Sequence, residues 1–138
     1  MNEYTLDNIA VGLEEKFDIT ITKEMVENFC AISGDTNPLH LDPKYAQSHK
    51  FKDRVVYGLL SSSFYSTLVG VFLPGKYAML QSINIKFIKP VFIGDRLIIS
   101  GTISHTNDVL KVVEIKAIII NQDNKKVSSS KIMVGLLK

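Results

Sequence analysis

Apolar and polar residues change their period along this chain of 138 residues, and each change predicts an element. Over residues 17–21 they alternate, which predicts a short strand. Met25, Val26, Phe29 and Ile32 then recur at helical spacing. Thr22 is placed as the N-cap, Glu24 lies in the first turn where the helix dipole favours an acid, and Gly34 is the stop. Residues 43–47 read as a short helix capped by Asp42, and 50–54 as a polar surface loop. Residues 58–72 are apolar on nearly every side and predict a long, buried helix, ended by Leu73-Pro74-Gly75. Beyond Gly75 the period becomes two. Ile83, Ile85 and Phe87 alternate with Ser82, Asn84 and Lys86 in a strand over 79–88, and 96–106, 109–121 and 126–137 follow as three more. Asn107-Asp108 and residues 122–124 supply the hairpin turns, while Pro90 and Gly94-Asp95 separate the first two of these strands.

A helix apolar nearly all round must be covered on several sides, and a curved antiparallel sheet wrapped around it is the economical cover. The expected class is therefore α+β, built as one domain over 1–138. Composition adds exclusions. A net charge of +2, with no run of like charges, gives no electrostatic case for nucleic acid as a partner. The single cysteine, Cys30, rules out an internal disulfide and a cysteine-based zinc cluster, and its apolar helical setting predicts a small hydrophobe. The first residues lack a basic segment followed by an apolar one, and 58–73 is polar-dotted and shorter than the ~20 residues of a membrane span. A cytoplasmic protein with no membrane partner is expected.

Chemistry concentrates between Phe29 and Asp42. Asp35 and His40 stand five residues apart on a bend just after the first predicted helix, with the turn formers Asn37 and Pro38 between them. A carboxylate and an imidazole at one bend can move protons in both directions near neutral pH. Asp and His in loops also serve as caps or solvated residues, so the pair alone carries modest weight. His49 and His105 fall in polar surroundings and are expected at the surface. No spacing resembles a metal-ligand set, and neither metal nor cofactor is expected.

The stretch Phe29, Ser33, Gly34, Asp35, Asn37, Pro38, Leu39 and His40 resembles the hydratase motif of the MaoC-like dehydratases and (R)-specific enoyl-CoA hydratases, which have the hot-dog fold. Two further blocks, 58–63 and 90–95, follow in that family's order. The resemblance implies reversible addition of water to a trans-2-enoyl thioester carried by coenzyme A or an acyl carrier protein. It implies Asp35 and His40 as the proton-transfer pair and the backbone N–H of Gly58, at the head of the long helix, as donor to the thioester oxygen. Asn37 would fix the loop and Ser63 would support the pair, with Ser61 and Ser62 as neighbouring competitors and a bond back to its own helix as the plainer role for Ser63. Where the family usually has His-Gly, this chain has Tyr57-Gly58, a departure that bears on acyl preference. Tyr57, Leu60 and Phe64 are the expected pocket residues. Lys52, Arg54, Lys86, Lys89 and Arg96 are unassigned candidates for carrier phosphates. A homodimer or higher assembly is expected from the same resemblance. Two alternatives stand beside the hydratase reading: a hot-dog acyl-thioesterase, and a non-catalytic acyl-thioester-binding subunit.

Overall fold

A computed structural model describes residues 1–138. Five antiparallel strands form one sheet: β1 (Glu14–Thr20), β2 (Ala78–Phe87), β3 (Arg96–Asn107), β4 (Val112–Ile120) and β5 (Lys126–Leu136), in spatial order β1-β3-β4-β5-β2. The sheet wraps the helix α4 (Gly58–Thr67), and the helices α1 (Lys23–Ser33), α2 (Pro38–Leu41) and α3 (Pro43–Ser48) lie on the connection between β1 and α4. This is the hot-dog arrangement. No helix is long and apolar enough to cross a membrane.

The register explains how a helix fits against the sheet. One row of paired residues runs Phe17–Ile99–Ile119–Ser128–Phe87, another Ile103–Ile115–Ile132–Ile83. Between them lies the row Glu15–Gly101–Ala117–Ser130–Ile85, whose three central residues are small. A Cβ at Gly101 would come within 2.7 Å of the Leu68 side chain, so the small row is where the end of the central helix presses on the sheet. Branched aliphatics on either side, among them Ile99, Ile103, Ile115, Ile119 and Ile132, close the core.

The predicted caps form. Thr22 accepts from the Met25 N–H, Gly34 takes the left-handed conformation at φ 71°, and the Asp42 carboxylate accepts from the N–H groups of Lys44 and Tyr45. Three expectations shift. Ile32, placed on the apolar face of α1, is 85% exposed, because only Val26 of that helix is fully buried. The long helix is α-helical only to Thr67 and continues as a widened π turn, Leu68–Phe72. Five-residue spacing in that turn brings Leu68 and Leu73 to the same side, and both are fully buried. The fourth predicted strand starts three residues later than expected. Asn107 Oδ1 accepts the Leu110 N–H and Lys111 adopts φ 51°, so Val109 and Leu110 belong to an exposed turn.

Candidate active site

The bend after α1 is built by its own side chains. The Ser33 hydroxyl accepts the Asp35 N–H at 3.2 Å, the Asp35 carboxylate accepts the Asn37 N–H at 3.0 Å, and the Asn37 side chain accepts the Leu39 N–H at 2.9 Å. Asn37 thereby caps α2, with Pro38 at its first position, where a missing N–H costs nothing. This short helix was not among the expected elements, although Asn-Pro is its signature. It carries His40 inward. Asp35 stays exposed, His40 is half-buried.

His40 Nδ1 lies 2.6 Å from the Val55 carbonyl. A carbonyl only accepts, so Nδ1 carries a proton, and in the neutral form of the ring the lone pair is on Nε2. The Tyr57 ring packs on the imidazole at 4.1 Å between centroids and on Phe29 at 4.9 Å. Its hydroxyl donates to the Asp35 carbonyl at 2.6 Å, which also receives the Cys30 Sγ at 3.5 Å. Burial, reinforced by Cys30 and Asp35, pushes the Tyr57 phenol up to about 12, so it remains a donor at neutral pH.

A cleft of about 300 Å³ opens beside this cluster. His40, Gly58, Ser61 and Phe87 line it, with Val55, Val56 and Pro90 among its apolar walls. At the head of α4 the first helical hydrogen bonds run from the Leu60 and Ser61 N–H groups to the Tyr57 carbonyl, and the Gly58 N–H has no acceptor in the protein. The glycine brings the helix head close to β2: a Cβ there would lie 2.9 Å from the Phe87 ring. The cleft is therefore lined by an imidazole residue, by the glycine whose amide is unpaired at a helix N-terminus, and by apolar walls, a set suited to proton transfer beside a polarised carbonyl.

The other predicted residues take different places. Asp35 does not line the cleft; it is linked to His40 through Tyr57. Tyr57 is only 2% exposed and Leu60 is buried in the core, which Phe64 packs against, and none of the three lines the cleft. Ser63 bonds back to the Leu60 carbonyl at 2.6 Å, whereas Ser61, one turn from Gly58, reaches the cleft wall. His49 bonds locally to the Tyr45 carbonyl, and His105 lies exposed on β3. Of the basic candidates, Lys89 lines the cleft, and Lys52 lines a neighbouring groove that shares Phe51 and Pro90 with it. Lys86 lies in a separate hollow with Lys116 and Lys131, and Arg96 pairs with Asp18 at 3.0 Å. Phe87 and the Val55 carbonyl were not singled out from sequence, and Ser61 was named there as a competitor of Ser63. Only Ser61 had a signal there, its spacing of three from Gly58.

The curved five-stranded sheet, the enclosed helix and the cleft at the helix head define a hot-dog protein. The sequence profile described as MaoC like domain matches residues 8–124, and the chain belongs to that family. It is 36% identical over 98 residues to an (R)-specific enoyl-CoA hydratase of Rhodospirillum rubrum, spanning 71% of this chain and 68% of that protein. A protein of the same name from Aeromonas caviae is 37% identical over 90 residues, 65% of this chain and 67% of the relative. A solved structure described as an (R)-hydratase from A. caviae involved in PHA biosynthesis superposes with a TM-score of 0.89. It is 29% identical, over 94% of this chain and 98% of that one.

Proposed function

We propose that this protein is a hydro-lyase that adds water to trans-2-enoyl thioesters to give (R)-3-hydroxyacyl thioesters, and catalyses the reverse dehydration. The observation that carries the reading is that His40 and Gly58 line one cleft, in a chain whose relatives are named for this reaction. In the hydration direction, water oxygen bonds to C3 as the C2–C3 π pair moves toward C2 and the thioester oxygen. The Gly58 N–H stabilises the developing enolate. C2 then takes a proton, and the attacking water gives one up, so the Asp35/His40 pair ends the cycle as it began. General acid–base assistance of this kind contributes about 10²–10⁴-fold, and one oxyanion donor about 3–4 kcal/mol.

The thioester carrier, coenzyme A or an acyl carrier protein, bears phosphate. Lys89 on the cleft and Lys50 and Lys52 on the adjoining groove are the cations available to it. The protein acts as a homodimer, paired along the exposed apolar edge strand β2.

The test follows loss of enoyl-thioester absorbance with crotonyl-CoA, then with longer acyl chains and carrier-protein thioesters. Hydration by the wild type that disappears in Asp35→Asn and His40→Ala, with both variants folded, supports the reading. Thioester hydrolysis in place of hydration overturns it in favour of a thioesterase. Tight thioester binding with neither reaction assigns a binding subunit.

A further inference from the structure

Asp35 and His40 are held to the protein in different ways. His40 has an anchor fifteen residues away in sequence, the Val55 carbonyl. Asp35 has almost none. Its N–H contacts Ser33, its carboxylate the Asn37 N–H, and Cys30 approaches its carbonyl, all within five residues along the chain. Residues 31–38 are all exposed, so no packing holds this carboxylate loop in place. The one long-range hydrogen bond to Asp35 comes from the Tyr57 hydroxyl, 22 residues away, at 2.6 Å. The same tyrosine stacks on His40 and is almost fully buried, at the residue that precedes the Gly58 helix head.

We propose that Tyr57 is the positioning residue of this site, which fixes the Asp35 loop against the His40 ring and the Gly58 N–H through one side chain. The inference rests on the hydratase reading for its kinetic consequence, though not for its geometry. The division of labour within Tyr57 is specific. Its ring supports the imidazole, and its O–H supports the carboxylate loop. Removal of the O–H alone therefore frees Asp35 and leaves His40 where it is. Displacement of a catalytic group by about 1 Å can cost on the order of 10²-fold in rate.

Tyr57→Phe deletes the hydroxyl and keeps the ring. The kinetic arm measures kcat and KM for crotonyl-CoA across pH in the wild type and Tyr57→Phe, with Tyr57→Leu as the variant that loses both functions. The proposal expects kcat to fall about 10- to 100-fold in Tyr57→Phe with KM little changed. It also expects an altered pH profile and a larger loss in Tyr57→Leu. The second arm reads backbone amide order at Asp35 and His40 by NMR relaxation in the same proteins without substrate. Asp35 should become more mobile in Tyr57→Phe while His40 keeps its order. Wild-type order at Asp35 in Tyr57→Phe overturns the proposal, as does a wild-type kcat with a wild-type pH profile. A wild type that hydrates no enoyl thioester would overturn the functional reading alone, because the relaxation arm still tests the anchor.

Discussion

His40 gives its Nδ1–H to the main-chain carbonyl of Val55 at 2.6 Å, in the connection between α3 and α4. That single bond decides which ring nitrogen is basic. It also ties the ring to a segment fifteen residues further along the chain, so His40 is held from both the bend that carries Asp35 and the connection before α4. His40→Asn separates these roles, since its amide can still donate toward Val55 but has no counterpart of Nε2. It is expected to fold with little change in melting temperature and to lose about 10²–10⁴-fold in hydration rate. Activity within tenfold of the wild type would remove His40 from proton transfer.

The contact between Gly58 and Phe87 makes a second prediction. A methyl at position 58 would meet the edge of the Phe87 ring at 2.9 Å, and Phe87 is 56% exposed, so the ring can swing aside. Gly58→Ala should therefore fold. Its cost should appear in kcat, because the displaced ring and the added methyl crowd the Gly58 N–H. Phe87→Ala in the same chain should return part of that loss, giving a double-mutant cycle coupled by more than about 0.5 kcal/mol. Additive effects would mean that Phe87 does not shape the helix head.

Much of this site can be read from sequence because its determinants are local. The caps at Thr22, Asp42 and Gly34 act within a few residues, and the bend from Ser33 to His40 closes its hydrogen bonds on itself. The alternation of β3 to β5 likewise follows from which face of the sheet is buried. What could not be read depends on long-range pairing. Phe87 reaches Gly58 only because β2 pairs with β5 in a register that ends at Ser128. Nothing in the sequence says that Val55 will accept from His40. Tyr57 was placed as a pocket residue from the family resemblance, whereas its ring is buried against Phe29 and His40. The π turn was equally hidden, since it answers to the small-residue row of a sheet that forms later in the chain.

Two buried serines on β5 give stability predictions of opposite sign. Ser128 shares a 2.8 Å hydrogen bond with the Tyr65 hydroxyl in the core, whereas Ser130 Oγ is buried with no partner. Tyr65→Phe strands the Ser128 hydroxyl and should cost about 1–3 kcal/mol. Ser130→Ala removes an unsatisfied group and should be neutral or stabilising by up to about 1 kcal/mol. Denaturant unfolding of the two variants checks both signs, and a destabilised Ser130→Ala would show that its hydroxyl has a partner after all.

The buried phenols set a limit on alkaline stability. Burial pushes Tyr57 and Tyr65 from an ordinary value of 10.0 to about 12 each. A pKa raised in the folded state means that folding favours the neutral phenol. The stabilisation is complete below pH about 10, where both states are protonated, and drains away as pH rises through about 12. The unfolding midpoint in denaturant should accordingly fall between these values, and fall less steeply in Tyr65→Phe. An equal slope in the variant would show that Tyr65 does not contribute.

Assembly offers the last prediction. β2 pairs with β5 on one side only, and its outer edge carries Met79, Leu80, Ile83, Phe87 and the adjoining Ile88, each between 38% and 56% exposed. An apolar edge strand left open is a template for pairing with another chain, and natural sequences seldom leave one unprotected. Lys86, Asn84 and Ser82 alternate with these apolar residues, so the strand has one polar face and one apolar face at its edge. A second copy laid antiparallel along β2 would satisfy the free backbone groups and cover Phe87 beside the cleft. Leu80→Lys sets a charge on that edge while leaving the core untouched. It is expected to shift a dimer toward monomer in sedimentation experiments at micromolar concentration and to weaken hydration in parallel, because Phe87 borders both the edge and the site. A wild type that sediments as a monomer would refute pairing through β2, and a monomeric Leu80→Lys with full activity would show that the site is complete in one chain.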